Sequence, residues 1–142
     1  MTYFTLDLKI ESSMATVSLN RPDVRNAMNE TMMEDLKSCF NLLSTLDEVR
    51  LVILEGIGPS FSAGADLQMM KDSGGQTREQ NIVGTRLLSE MYQSIDHCSK
   101  PILGVVHGHA FGGGFGLCCV CDIVIAEEKT LFSLSEVLIG LI

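Results

Sequence analysis

Two glycine-rich segments could do chemistry: Phe61-Ser62-Ala63-Gly64-Ala65-Asp66, and Gly108-His109-Ala110-Phe111-Gly112-Gly113-Gly114-Phe115-Gly116. Each follows a short apolar run, and backbone free of bulky side chains can turn its N–H groups toward a ligand at close range. Two such amides brought together form an oxyanion hole, which stabilises negative charge developing on a carbonyl oxygen. The chemistry implied is that of an enolate or an acyl group. Read singly, Ala63-Gly64-Ala65 is equally a turn leaving a strand, and the triple glycine equally a tight contact between helix and strand. Their joint occurrence, each before a helix start, favours one shared site where helix N-termini and amides meet.

Simpler motifs do not fit these residues. Gly-x-Gly-x-x-Gly fails because Leu117 occupies the last position when Gly112 is the first, and no Walker lysine follows. Ser60 and Ser62 lack the flanking glycines of a nucleophile elbow. His107 and His109 have no third ligand in view, so no metal site is assigned. Cys118, Cys119 and Cys121 crowd together without Cys-x-x-Cys spacing, and five cysteines is an odd number, which reads as buried reduced thiols. Asp66 is either a surface turn acid or, the better reading, the N-cap of a helix starting near Leu67. Met32, Met33, Met69 and Met70 read as core or as pocket lining.

The positioning elements follow from hydrophobic period. Phe4, Leu6, Leu8 and Ile10 alternate with polar residues, as do Ala15, Val17 and Leu19, giving an opening hairpin around Glu11-Ser12-Ser13. Asn20-Arg21-Pro22-Asp23 breaks the pattern, and Met32, Met33, Leu36, Phe40, Leu43 and Leu46 recur at helical spacing. Leu51-Val52-Ile53-Leu54 and Ile102-Leu103-Gly104-Val105-Val106 read as strands buried between helices. Thr77 through Cys98 reads as a helix, Phe115 through Val120 as a short helix begun by the triple glycine, and Ile123–Ala126 as a further strand. Strands alternating with helices predict an α/β fold.

Composition bounds the partners. The 142 residues are 46% hydrophobic and 20% charged, which suits one globular domain over 1–142. Eighteen acidic against ten basic residues give a net charge of −8 with no Lys/Arg cluster, so nucleic acid is not an expected partner. No stretch reaches the roughly 18 apolar residues of a membrane span, and the first residues lack a basic region followed by an apolar one. A cytoplasmic location is expected. The run Val137-Leu138-Ile139-Gly140-Leu141-Ile142 would ordinarily be covered by further structure, which implies truncation at the C-terminus.

Leu19-Asn20-Arg21-Pro22, Asn26-Ala27-Met28, Phe61 through Leu67, Ala110-Phe111-Gly112-Gly113-Gly114 and Cys121-Asp122-Ile123 together resemble the crotonase (enoyl-CoA hydratase/isomerase) superfamily. The likeness covers essentially the whole chain but about the N-terminal half of a member. It extends to the bacterial methylglutaconyl-CoA hydratase-like group, where Ala-Phe-Gly-Gly-Gly-x-Gly-Leu and Ser-Glu-Val-x-x-Gly-Leu-Ile also occur. The resemblance implies a crotonase-type spiral of β-β-α units with two sheets at a steep angle, lacking here the C-terminal helical region. It implies an acyl-CoA substrate whose thioester oxygen is gripped by the amides of Ala65 and Gly113, with no separate cofactor, since coenzyme A belongs to the substrate. Small residues are then required, because a side chain at Gly113 would bend the backbone away. Ala63, Gly64, Asp66, Leu67 and Gly112 are expected around the substrate, with Arg25 and Ala27 in the segment that meets coenzyme A mostly through backbone. A trimer or hexamer is expected of full-length members.

Of the two glutamates the superfamily uses to move protons, the second aligns with Glu136 and the first falls on Gly116, which has no side chain to offer. Ser133-x-x-Glu136 before Val137, Leu138 and Ile139 also fits a helix capping box, so both roles stand for Glu136. Packing beside apolar residues would suit that carboxylate to exchanging protons near neutrality. Three functions follow as expectations: an enoyl-CoA hydratase in which something other than a second Glu positions water; a double-bond isomerase with one shuttling carboxylate; or a truncated, catalytically silent binding protein.

Overall fold

Hydrophobic alternation builds the first hairpin. Strand β1 (Leu6–Glu11) pairs antiparallel with β2 (Met14–Leu19), Leu8 opposite Val17, and the turn at Ser12 and Ser13 is closed by two residues with positive φ. Ala15, Val17 and Leu19 are fully buried. A computed structural model describes residues 2–134, 136, 137 and 140.

Helix α1 (Glu30–Thr45) starts where Asn29 accepts a hydrogen bond from the Met32 amide, and its stripe of Met32, Met33, Leu36, Cys39, Phe40 and Leu43 is buried. Each large side chain in that stripe contributes about 1.5–3 kcal/mol of burial. Strand β3 (Leu51–Gly56) then pairs parallel with β2. Helices α2 (Leu67–Ser73) and α3 (Arg78–Asp96) follow, α3 opened by a reciprocal capping box between Thr77 and Gln80. Strand β4 (Ile102–Val106) returns parallel to β3, strand β5 (His109–Phe111) is short, and helix α4 (Gly113–Cys119) begins two residues earlier than its sequence pattern predicts. Strands β6 (Ile123–Ala126) and β7 (Leu131–Ser133) complete the described elements.

One sheet has the order β1-β2-β3-β4-β6 and a second pairs β5 with β7. The α/β expectation holds. Strand β6 stands where the sequence predicts a further strand, and all four of its residues are exposed at the sheet edge. Sequence periodicity does not foresee β5 or β7, since three residues are too few to show a period.

The second layer is what positions the loops. Isolated parallel bridges join Met28 to Ala65 and Ser62 to Ala110, so the order across this layer is Met28, the 62–65 segment, β5 and β7. The Gly112 amide donates to the Ser133 carbonyl at 2.7 Å, fastening the glycine loop to the strand that leads to Glu136. Phe115 of α4 and Phe132 of β7 meet edge to face at 6.0 Å, which holds the same two elements together.

Candidate active site

Buried polar side chains fix the loop that follows β3. Asn26 is fully buried; its amide donates to the carbonyls of Ile57 and Ser60, each at 2.9 Å, and its oxygen accepts from the Arg21 amide at 2.8 Å. Ser62 donates to the Asn26 carbonyl at 2.8 Å and accepts from the Gly64 amide at 3.2 Å. Every one of these groups is paired, so the frame around residues 61–65 is rigid.

That frame aims the Ala65 amide. In the bridge to Met28, the Met28 amide donates to the Gly64 carbonyl and the Asp66 amide to the Met28 carbonyl, so Ala65 itself turns its N–H to the opposite side. Gly113 opens α4, where a helical N–H has no intrahelical acceptor. Among the described residues neither amide has a recorded acceptor. The two loops touch: a Cβ placed on Gly64, where φ is +91°, would lie 2.7 Å from the Phe111 carbonyl oxygen and 3.4 Å from the Gly113 nitrogen.

Ala65, Gly112 and Gly113 share a cavity of about 280 Å³ with Glu136 and Tyr92, walled otherwise by Met28, Met33, Met69 and Leu88. Met33, Met69 and Leu88 also wall a neighbouring cavity of about 430 Å³, to which Met70 contributes, so an apolar path runs between α1, α2 and α3. Glu136 is only partly exposed, and its Oε2 is buried with no hydrogen-bond partner among the described residues. A buried carboxylate oxygen in that condition is open to a proton, a water or a substrate. Two free amides, one carboxylate and an apolar channel can hold a carbonyl oxygen and move a proton beside it.

The glycines differ in what they make room for. Gly112 has φ +49° and ψ −118°, and a Cβ there would strike the Glu136 carboxyl, 2.9 Å from its Cδ. At Gly113 a Cβ would meet the Cε of Met28, the free end of a flexible side chain. Space in the cavity, and not bending of the backbone, is therefore what a side chain at Gly113 would disturb. A Cβ at Gly114 would fall 2.7 Å from Ser62, and one at Gly116 would fall 2.6 Å from the Tyr92 hydroxyl oxygen.

The remaining predicted residues lie around this cavity and not in it. Arg25 is exposed and left-handed, and its carbonyl receives the Ala63 amide at 2.9 Å. Ala27 is buried and its carbonyl accepts from Arg21. Leu67, the first residue of α2, is 70% exposed and is not among the residues lining the cavity. The capping alternative for Glu136 concerns a helix whose residues 138 and 139 lie outside the described residues. His109 shares a hydrogen bond with Ser60 and His107 with the Gly58 carbonyl, and no metal-holding cluster occurs among the described residues. All five cysteines are free thiols, but Cys119 is exposed, contrary to a uniformly buried set.

Asp66 caps α2 through the Gln68 and Met69 amides and also pairs with Arg21 at 2.9 Å. Burial alone would raise its pKa, but the Arg21 hydrogen bond, the two amides and the guanidinium charge outweigh it and hold the carboxyl below its ordinary value. The pair's stabilisation is complete above the ordinary Asp value of about 4 and is lost as pH falls through the lower folded value. Asp66→Asn keeps a capping oxygen and removes the charge, so it is expected to cost about 1–3 kcal/mol at neutral pH. Denaturant unfolding of both proteins should show that gap closing as pH falls below about 4; a gap constant with pH contradicts the assignment.

Two side chains of the site escape the sequence reading. Tyr92 stands at i+4 from Leu88 and i−3 from Ile95, on the buried stripe of α3, and that spacing is the signal that could have found it. Arg21 has no such signal, because its partner Asp66 is 45 positions away.

Two loops thus bring amides without a protein acceptor among the described residues to the cavity that Glu136 also lines. Residues 9–142 match the model of the enoyl-CoA hydratase/isomerase family, and the chain belongs to that family. It is 35% identical over 134 residues to the mitochondrial Delta(3,5)-Delta(2,4)-dienoyl-CoA isomerase of Homo sapiens, covering 88% of this chain and 40% of that protein. An enoyl-CoA hydratase of Alternaria alternata is 34% identical, covering 92% of this chain and 42% of its own. Among solved structures, an enoyl-CoA hydratase from Shewanella pealeana superposes with a TM-score of 0.94 at 35% identity, over 97% of this chain and 52% of that one. The chain thus spans about half the length of the relatives it matches, or less. No helix among the described residues is long and apolar enough to cross a membrane.

Proposed function

We propose that this chain carries the catalytic half-site of an enoyl-CoA hydratase acting through a thioester enolate. Ala65 and Gly113 donate their amides to the thioester oxygen, and Glu136 exchanges the proton beside it. The observation that carries the reading is that these three groups line one small cavity, which shares its Met33, Met69 and Leu88 wall with a neighbouring, largely apolar one. One carboxylate suffices for hydration: it takes a proton from water as the oxygen bonds to C3, then gives that proton to C2.

Gly112, Gly64 and Ala63 shape the donor loops in this reading, Asp66 and Leu67 open the helix beside them, and Arg25 and Ala27 lie in the segment meeting coenzyme A. A branched or carboxylated enoyl group, as in methylglutaconyl-CoA, is the finer form of the proposal. A cytoplasmic site of action goes with it, set against relatives named as mitochondrial, and cell fractionation decides between them.

Double-bond isomerisation is the second reading, favoured by Glu136 being the sole carboxylate among the described residues of the cavity. Incubation with 2-enoyl-CoA and 3-enoyl-CoA under mass detection separates the two. Hydration adds the mass of water to the 2-enoyl substrate; migration of the double bond leaves mass unchanged. Acyl-CoA binding by calorimetry without either product would sink both and leave a binding protein.

Homo-oligomer formation belongs to the same proposal. Ile123, Ile125, Leu131 and Leu134 are each more than half exposed, so a 142-residue chain is expected to self-associate by light scattering, and a strict monomer would contradict this.

A further inference from the structure

The smaller cavity contains two side chains able to hydrogen-bond among its described lining residues, Glu136 and Tyr92; the rest are Met, Leu, Ala or Gly. Glu136 has one task already, moving a proton. A water adding to C3 also needs its second hydrogen held, so that a lone pair of its oxygen faces the carbon.

Tyr92 is built into place from two sides. Its hydroxyl donates to the Gly113 carbonyl at 2.7 Å, which commits its single proton and leaves its oxygen lone pairs as acceptors. Its ring fills the space a side chain at Gly116 would enter, with Oη 2.6 Å and Cζ 2.9 Å from a Cβ there. Burial first, and then the neighbouring negative charge of Glu136, push its pKa to about 12, so the hydroxyl stays protonated across the working range and keeps its bond to Gly113.

We propose that Tyr92 is the water-positioning residue of this site, its Oη accepting one hydrogen of the water that adds to C3. This rests on the hydratase reading. As the water oxygen bonds to C3, the C2=C3 electron pair moves toward the thioester, whose oxygen gains the charge. One water proton passes to Glu136 and from there to C2. The other hydrogen, held by Tyr92, stays on oxygen and becomes the product hydroxyl. No further reactant is needed, and Gly116 is free to be glycine because the polar group comes from α3 instead.

The test compares two reactions of the same site in wild type and Tyr92→Phe. Hydration of 2-butenoyl-CoA needs the positioned water; exchange of the C2 hydrogens of butanoyl-CoA in heavy water needs the amides and Glu136 alone. Tyr92→Phe keeps the ring against Gly116 and should lower kcat for hydration by about 10- to 100-fold, KM and C2 exchange staying within about twofold. Exchange also reports that the variant is folded. Hydration unchanged, or hydration and exchange lost together, overturns the proposal, the second because Tyr92 would then act only by anchoring Gly113. Wild type that exchanges without hydrating removes the hydratase reading and this inference with it.

Discussion

Glu136→Gln is expected to lower kcat by about 10³-fold while KM stays within a few-fold, because the exchange of a proton by a positioned side chain typically contributes about 10²- to 10⁴-fold. Gln preserves the volume packed against Gly112 and can neither take nor give that proton. The cavity offers no substitute carboxylate among its described residues. Steady-state turnover, with circular dichroism to confirm folding, measures the effect. A loss below tenfold would mean that Glu136 is not the proton carrier and would return it to the capping role that Ser133-x-x-Glu136 also fits.

Gly112→Ala should be nearly as damaging for a different reason. The backbone at Gly112 is in a region that L residues avoid, and a Cβ there points into the Glu136 carboxyl. Strain of about 1–3 kcal/mol should appear in unfolding, and displacement of the carboxyl should lower kcat by about 10²-fold or more. The two substitutions act on one group, so they are not independent. In a Glu136→Gln background, Gly112→Ala should reduce turnover by less than about threefold further while its stability cost remains. Additive losses in kcat would show that Gly112 serves the site by another route, such as aiming the Gly113 amide.

How much of this is legible in the sequence depends on the range of the cause. The hairpin of β1 and β2, the buried stripe of α1 and the parallel runs β3 and β4 are set by local periodicity, and they stand where the pattern puts them. Asp66 as the cap of α2 is legible for the same reason, since the amides that donate to it are two and three residues on. Strands β5 and β7 are not, because each is three residues long and exists by pairing with the other. The glycines show a similar division. That Gly64 and Gly112 need unusual backbone is readable from their type; that Gly112 borders Glu136 and Gly116 borders Tyr92 is visible only once β7 and α3 are packed on the loop. Tyr92 looks like one more core aromatic in α3, and its bond to a carbonyl 21 positions away is what marks it as part of the site.

The arrangement rests on the Ala65 and Gly113 amides receiving one oxygen. A crystal structure of the protein with a slowly reacting acyl-CoA bound tests this most directly. The account predicts the thioester oxygen about 2.7–3.1 Å from both nitrogens, with C2 against the Glu136 carboxyl. A thioester oxygen facing solvent, or held by only one of the two amides, would contradict it.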